Sequence, residues 1–544
     1  MPRTVYLETF GCQMNELDSE LVEGQLRALG YAFTRDASNA DVVLYNTCSV
    51  REHAEQKVWS RLGELKAAKA ERPGLVVGVL GCMAERDGSA LMKRMPVVDV
   101  MCGPGELDKL PTLLDNAVRT RESLIADASV DEPDEVSAWQ SALQGSTSRR
   151  SATLAAAQDS LELLDLSRST FVGVDDAGKS KKTAYVRITR GCNKFCTYCV
   201  VPFTRGAEVH RPPEHIIDEC KLLADSGVIE VTLLGQTVNH YRFEHGAAVT
   251  IGGVIQPQKG RSYQGGHRRD PFAGSNVTTF ADLLRRIHDE VPSIKRLRFV
   301  TSYPRDFGDD VLEVIRDHPR ICRYLHVPAQ TGSDRLLKLM NRGYEVGEYL
   351  EFLDRARGFL DQPEIGRPLM ISGDFIVGFP TETDEDFEAS LWLLRKARYK
   401  NSFIFKYSPR PGTVAIDKFS DDVTEDVKRS RNNQLLAEQN RICDEIGREQ
   451  IGRRFEVFVE GFSPRARKQR AKAPGAVSLT VGGRSRDVGD SAADSQLSAR
   501  TDGDLIMLID APAGRDPAQL VGQIVPTLVT GAGPLWLTGE MVTG

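Results

Sequence analysis

Residues 190–200 read RGCNKFCTYCV and place Cys192, Cys196 and Cys199 in a CxxxCxxC spacing. An apolar, β-prone run from Ala184 to Thr189 precedes them, so the three thiols fall on one short loop at a strand end. Three thiolates on such a loop can hold three irons of a cubane cluster, and iron–sulfur clusters are normally closed by four cysteines. A triplet therefore implies one iron left open to substrate, the property that separates catalytic from structural metal sites. A zinc knot built on the Cys196–Cys199 half-site needs further N or S ligands nearby. The nearest candidates are His210 and His215, and Pro212 and Pro213 between them break any shared helix face. A redox CxxC leaves Cys192 without a role.

Arg190 and Gly191 before the first cysteine, with Phe195 and Tyr198 inside the motif, make the stretch resemble the radical S-adenosylmethionine (SAM) superfamily. The resemblance implies that the amino and carboxylate groups of SAM chelate the open iron.

The chain has 544 residues, room for three or more domains. At 41% hydrophobic and 27% charged it has the composition of a soluble globular protein. A net charge of −6 argues against a uniformly basic nucleic-acid binder, though local patches can still do that work. No basic-then-apolar leader opens the sequence, and no apolar run reaches the roughly 18 residues of a membrane helix. Ten cysteines without a secretion signal point to free thiolates in the reducing cytoplasm rather than to disulfides.

Across residues 1–116, β-like runs at Thr4–Phe10, Asp41–Thr47 and Leu75–Leu80 are each followed by a helix-like stretch, at 15–29, 51–69 and 84–94. This alternation predicts a doubly wound parallel sheet. Cys12, Cys48 and Cys82 each follow one of these strands, and the carboxyl ends of parallel strands emerge on one edge, where ligands bind. The three are read as ligands of a second iron–sulfur cluster, again with one open iron. Cys102 follows a fourth run, Val97–Met101, but Pro104 and Gly105 indicate a loop leaving the sheet, so it is set aside.

TFGCQMNELDSE, NTCSVREHAEQKVWSRLG and GCMAER resemble the N-terminal domain of the methylthiotransferase family, radical SAM enzymes with two clusters. The Gln-Met-Asn after Cys12 resembles the branch that acts on isopentenyladenosine in tRNA. The threonylcarbamoyladenosine branch typically has a Lys-Val-Asn-like continuation, and the branch acting on a ribosomal protein typically has Pro-Lys-Asn.

Residues 117–181 are Ser/Ala/Asp-rich, with Trp139 and Phe171 as their aromatic residues and a short helix expected over Leu161–Leu166; they read as a flexible insertion. From 182 to 450 strands are expected at 184–189, 229–234, 295–300, 323–327, 371–377 and 401–407, with helices at 213–226, 279–290, 306–317, 333–341 and 383–398. The order suits a (β/α)6 partial TIM barrel, the fold the resemblance implies, with chemistry at the carboxyl ends of strands. GQTVN, TSYP, PAQTGSD and GFPTET follow four of those ends. By the resemblance, Gly235 and Gln236 lie near the methionine portion of SAM, Ser302, Gln330 and Asp374 line the cavity, and Gly378, Phe379 and Pro380 approach the adenine. His326 reads as a satisfied interior histidine. Residues 241–276, with seven glycines and a basic GHRRD, read as a surface loop, and 423–449 as a charged helix with a solvated face.

In 451–544, RRFEVFVEG alternates like a strand, and β-like runs follow at Asp504–Ile509, Gln523–Leu528 and Leu535–Leu537. Short strands with Gly-Pro punctuation predict a small antiparallel β-barrel, and ARTDGDLIMLID resembles the TRAM domain, an RNA-binding module. PRARKQRAK carries five basic residues and no acid; it either tracks phosphates or forms a basic loop.

The chain reads as a cytoplasmic α/β multidomain enzyme, a monomer without membrane contact, and the family resemblance implies its chemistry: it carries two [4Fe-4S] clusters and SAM, and adds a methylthio group to C2 of N6-isopentenyladenosine at tRNA position 37, in the anticodon stem-loop. The chemistry requires an electron donor and a sulfur source, neither of which the sequence identifies. Two rivals remain: a branch acting on threonylcarbamoyladenosine or a ribosomal protein, and a non-catalytic RNA-binding iron–sulfur protein.

Overall fold

A computed structural model describes residues 2–49, 52–126, 140–143, 158–168, 181–260, 268–270, 276–470, 495–512 and 514–542. Its first unit is a parallel sheet of β1 (Thr4–Phe10), β2 (Ala32–Phe33), β3 (Val42–Thr47), β4 (Val76–Gly81), β5 (Val100–Cys102) and β6 (Gln140–Ala142). The strand order is β2–β1–β3–β4–β5–β6. β3 and β4 read VVLYNT and VVGVLG and are buried at every position, as strands covered on both faces must be. α1 (Gln13–Ala28) and α4 (Leu110–Ala126) cover one face through Leu17, Leu21, Leu110 and Leu114. α2 (Glu52–Glu71) and α3 (Cys82–Arg94) cover the other through Val58, Leu62, Met83 and Leu91.

Cys102 lies within β5, not on a departing loop. Its thiol is buried beside the Glu106 carbonyl, 3.1 Å away, and packs in the core under α1 and α4.

The segment 117–181, expected to be a flexible insertion, contributes structure where it is described: the end of α4, strand β6 and α5 (Ser160–Ser167). Leu161 and Leu164 are buried against the N-terminal core. Asp159, Glu162 and Asp165 are buried against Arg190, Arg211 and Arg187. The segment is held by ion pairs three residues apart, a pattern that hydrophobic periodicity does not register. Trp139 and Phe171 lie outside the described residues.

The central unit has six parallel strands, β7 (Thr183–Arg187), β8 (Glu230–Leu234), β9 (Arg296–Phe299), β10 (Tyr324–His326), β11 (Met370–Val377) and β12 (Asn401–Lys406). They pair as β9–β8–β7 and β10–β11–β12, joined by a parallel bridge between Leu297 and Ile321. No pairing among the described residues closes β12 onto β7, so the barrel is partial. Helices α6 (Pro213–Asp225), α7 (Phe280–Glu290), α8 (Asp309–Asp317), α9 (Asp334–Leu339), α10 (Val346–Leu360) and α11 (Asp384–Ala397) alternate with the strands. In α7 the buried residues Phe280, Leu283, Leu284 and Ile287 form one stripe at helical spacing, and the Thr279 hydroxyl caps the helix by accepting from the Asp282 amide. α12 (Glu425–Glu449) has a charged outer face but buries Leu435, Ile442 and Ile446 in the barrel core.

Part of the 241–276 segment, read as a surface loop, is pinned by short antiparallel pairs: Arg242–Glu244 with Val277–Thr279, and Gln258–Lys259 with Val209–His210. The glycines obscure these ladders, because the pairing partners lie outside the segment or at its ends.

The C-terminal unit is a closed barrel of β13 (Arg454–Phe462), β14 (Gln496–Arg500), β15 (Ile506–Asp510), β16 (Ile524–Ala532) and β17 (Leu537–Met541). One pair, β15 with β17, is parallel, which departs from the antiparallel barrel expected. Leu535 and Trp536, expected to open the last strand, are exposed in the turn before it. The basic run forms α13 (Pro464–Arg470), anchored by buried Ala466 and by Arg470 stacked over the Phe462 ring at 3.9 Å. Residues 471–494 lie outside the described residues.

Arg298 docks this barrel on the central one. From β9 it donates to Glu230 Oε2 (2.9 Å) and to the carbonyls of Thr501 (2.6 Å) and Asp502 (2.9 Å). Removing one partner of a buried pair strands the other charge and costs about 3–5 kcal/mol. Arg298→Met is expected to lower the first urea unfolding transition by that amount, and the Arg298→Met, Glu230→Met double variant, which relieves the stranded charge but still lacks the Thr501 and Asp502 contacts, to recover only part of it. A loss in the Arg298→Met variant below about 1 kcal/mol, the size of a surface pair, would contradict this docking.

Candidate active site

The loop after β7 is shaped by its backbone. Gly191 has φ +69, and a Cβ there would stand 2.2 Å from the Ala207 carbonyl, so no larger residue fits. The Cys192 amide donates to the Gly206 carbonyl (3.1 Å), Thr197 to Met340 (3.1 Å) and Cys199 to Cys196 (3.0 Å). These bonds turn three thiols of one short segment toward each other. Burial pushes the Cys192 thiol up to about 12. Cys199 is raised too, by burial and then by the negative charge of Cys196 and Cys192. Three thiols gathered on one buried loop are the donor set that a metal cluster needs.

Arg342 supplies a second sign of that charge. Its guanidinium is buried and donates to Cys196 Sγ (3.4 Å), Tyr198 Oη (3.5 Å) and the Pro328 carbonyl (3.0 Å). Tyr303 and Tyr344 pack against it, and no carboxylate pairs with it among the described residues. A buried cation without an acid belongs beside an anion, and a thiolate-ligated iron–sulfur cluster is one.

The other trio converges from three strand ends. A Cβ on Gly11 would stand 2.8 Å from the Cys48 Cβ, so the first two loops touch. Buried Asn15 locks them: its amide donates to Asn46 Oδ1 (3.0 Å) and the Thr47 carbonyl (3.3 Å), while Asn46 donates to the Asn15 carbonyl (2.9 Å). Cys82 is the first residue of α3, directly after β4. A hydrogen bond from Cys48 brings the Cys12 thiol down to about 6 against the opposing effect of burial, with help from the charge of Arg205. Burial raises Cys82, and Arg205 opposes the rise. Arg205 comes from the barrel side and pairs with buried Asp18 of α1 at 2.8 Å.

A cavity of about 520 Å³ lies between the units. Cys12, Gln13 and Cys48 form its N-terminal wall, and Glu460, Arg500, Asp504 and Ile506 its C-terminal one. The barrel contributes Tyr185, Gly235, Gln236, His326, Asp374 and Phe403. Thr237, next to Gln236, has its hydroxyl 4.0 Å from Cys192 Sγ, which puts the barrel trio beside this cavity.

Of the residues the sequence singles out, Gly235, Gln236 and Asp374 line the cavity and Ser302, Gln330, Gly378, Phe379 and Pro380 do not. Ser302 and Gln330 sit just past β9 and β10; the Ser302 hydroxyl and Asp374 Oδ1 are buried without a hydrogen-bond partner among the described residues. Phe379 packs in a small apolar cluster with Leu336, Met340, Tyr407 and Ala415, against which Tyr198 of the cysteine loop also packs. Pro380 follows it in the same turn. Gly378 has φ +69 and donates its amide to Glu382 Oε1, so it shapes that turn. His326 is an interior residue bonded to Ser372 (2.8 Å), yet it also faces the cavity. Arg205 and Arg342 have no spacing signal; each becomes legible only when a sulfur lies beside it.

Residues 186–394 match the radical SAM superfamily and residues 4–103 the Uncharacterized protein family UPF0004. The chain is a radical SAM enzyme, a class that binds a [4Fe-4S] cluster and SAM. The tRNA-2-methylthio-N(6)-dimethylallyladenosine synthase of Rhodopirellula baltica is 42% identical over 87% of this chain and 87% of its own. Proteins of the same name from Anaeromyxobacter sp. (strain K) and Porphyromonas gingivalis are 39% and 38% identical, over 87% and 86% of each chain. The chain belongs to the tRNA-2-methylthio-N(6)-dimethylallyladenosine synthase family. No helix among the described residues is long and apolar enough to cross a membrane.

Groups that support metal ligands from behind typically contribute about 10- to 100-fold in affinity. With Cys12, Cys48 and Cys82 replaced by Ala so that only the barrel trio can load, Arg342→Met is expected to speed iron release to a chelator by that factor. Arg342→Lys, which keeps the charge, is expected to retain part of the effect. Equal release from all three proteins would show that Arg342 serves packing alone.

Proposed function

We propose that this protein adds a methylthio group to C2 of N6-isopentenyladenosine at position 37 of tRNA. One observation carries the reading: a single cavity is walled by Cys12 and Cys48, by Gly235, Gln236 and Asp374 of the barrel, and by Arg500 and Asp504 of the C-terminal barrel. The barrel trio lies beside this cavity, with Cys192 Sγ 4.0 Å from the hydroxyl of Thr237 next to Gln236; this supports a reaction that brings sulfur, SAM and RNA together, and the relatives carry the matching name.

In this reading Cys192, Cys196 and Cys199 hold the SAM-binding cluster, and Cys12, Cys48 and Cys82 hold a second [4Fe-4S] cluster that carries the sulfur. The bound clusters and SAM supply one-electron chemistry able to activate an inert aromatic C–H bond. The protein binds and orients. Gly235 and Gln236 would border the methionine portion of SAM, and Asp374 lines the same cavity. His326 is held between Ser372 and Asp374, whose Oδ2 lies 3.5 Å from Nε2, so its ring has a fixed orientation toward the cavity. Phe403 is 46% exposed and lies parallel to Phe405, with ring centroids 6.4 Å apart. With Val300 and Leu234 these rings form an apolar wall for the prenyl group or a platform for the base. Arg465, Arg467, Lys468 and Arg470 on α13 follow the phosphates. An external reductant and a sulfur source complete the reaction.

Ala replacement of Cys192, Cys196 and Cys199 is expected to abolish deoxyadenosine formation from SAM. The Cys12, Cys48 and Cys82 triple variant is expected to keep it but yield no methylthiolated, prenylated tRNA. Iron should fall from about eight per chain to about four in either, as two four-iron clusters require. If the second variant kept all its iron or still modified tRNA, the two-cluster reading would fall.

A further inference from the structure

We propose that Gln13 is a specificity residue: its uncharged side chain leaves the cavity without a spare cation, so a nucleoside with a carboxylate on N6 is refused and one with a neutral alkyl group is admitted. The proposal rests on the reading that nucleoside 37 enters this cavity.

Gln13 follows Cys12 directly and opens α1. It is exposed, it lines the cavity, and its side chain makes no hydrogen bond among the described residues. The next amides of the helix, from Met14 and Asn15, are turned to the Cys12 thiol. The Gln13 carboxamide is therefore a free polar group next to a sulfur of the N-terminal trio. In adenine, C2 and the amino-bearing C6 both flank N1. A side chain beside the sulfur that meets C2 thus also faces the substituent on N6.

The charges of the wall decide what that substituent can be. Each cation there already has a carboxylate. Arg298 pairs with Glu230 at 2.9 Å, Arg500 with Glu460 at 2.7 Å and Asp504 at 2.6 Å, and Lys400 with Asp504. Asp374 lies 3.5 Å from His326 rather than beside an arginine or lysine among the described residues. The wall thus sets four carboxylates, of Glu230, Asp374, Glu460 and Asp504, against three cations. The next charge along α1 is Glu16, an acid that hydrogen-bonds Tyr185 of the same wall. Behind Cys12, Arg205 is engaged by Asp18.

A carboxylate brought here would lose water, gain no partner and meet like charge. An alkyl group meets Phe403, Phe405 and Ile506 instead, and Phe403 and Ile506 are 46% and 39% exposed. N6-threonylcarbamoyladenosine carries such a carboxylate and N6-isopentenyladenosine does not. The filter works by leaving the wrong substrate's charge unpaired, not by an added contact to the right one.

The test measures binding to the full-length, cluster-loaded protein by fluorescence anisotropy, which needs no turnover. Three anticodon stem-loops carry N6-isopentenyladenosine, N6-threonylcarbamoyladenosine or the methyl ester of the latter at position 37. The wild type is expected to bind the acid at least about 10-fold more weakly than the prenylated form, and the ester to recover most of that loss. Gln13→Lys is expected to narrow the gap at least about 3-fold at low salt and to lose the gain at high salt. Gln13→Met, similar in length and uncharged, is expected to keep the gap. A lysine strengthens contact with any phosphate, so the readout is the ratio between RNAs, which partial misfolding leaves unchanged. Equal binding of the acid and its ester, or of the acid and the prenylated form, by the wild type would overturn the charge filter. An unchanged ratio in Gln13→Lys would overturn the part given to Gln13. Equal binding of prenylated and unmodified stem-loops, with the acid still refused, would tell against the isopentenyl reading while upholding the filter.

Discussion

Asp18 is a fully buried carboxylate on the first helix, and it accepts from two arginines of the central unit, Arg187 at 3.2 Å and Arg205 at 2.8 Å. Without those partners an ionised carboxylate could not lie at this depth, and without Asp18 two guanidiniums would be stranded. The pair does more than join two folds. Arg205 continues past Asp18 to the thiols of Cys82 and Cys12, so the contact that docks the N-terminal sheet also sets the charge at its cysteine trio. Arg187 extends the other way, to Asp165 of α5, whose neighbour Glu162 engages Arg211. A continuous run of buried ion pairs thus ties the sheet edge, the inserted helix and the first barrel strand together.

That coupling explains why the cavity is assembled from three units. Each unit alone presents an open edge: strand ends in the sheet, an unclosed seam in the six-stranded barrel, and one flank of the C-terminal barrel. Arg298 and Lys400 hold the last of these in place, through the carbonyls of Thr501 and Asp502 and through Asp504. Asp504 has φ +67 and its carboxyl is held low by Lys400, Arg500 and Arg298 despite burial. The result is a partly polar, partly aromatic chamber with Cys12 and Cys48 on one wall and the C-terminal barrel on another. A substrate as large as tRNA would need only to offer one base to it.

Much of this was legible in the chain. Val-rich runs such as VVLYNT gave strands because a doubly covered parallel strand needs apolar residues on both faces. Cysteines after three of those strands converge for the topological reason that parallel strands end on one edge. Other features left no local trace. Phe379 looks like a site residue in GFPTET, yet its neighbours Leu336, Met340 and Tyr407, distant in sequence, claim it for a core. Asp159, Glu162 and Asp165 look like linker residues until Arg190, Arg211 and Arg187 are brought to them by folding. Long-range charge pairing carries no periodicity, so a reading based on periodicity passes over it. Arg205 and Arg342 fall in the same class.

The central claim is that this assembly serves one reaction on one modified nucleoside. Nucleoside mass spectrometry of total tRNA from cells lacking this gene tests it most directly. The account predicts that 2-methylthio-N6-isopentenyladenosine disappears and N6-isopentenyladenosine accumulates in its place, with threonylcarbamoyladenosine derivatives unaffected. An unchanged level of the methylthiolated, prenylated nucleoside, or loss of methylthio groups from the threonylcarbamoyl series instead, would contradict it.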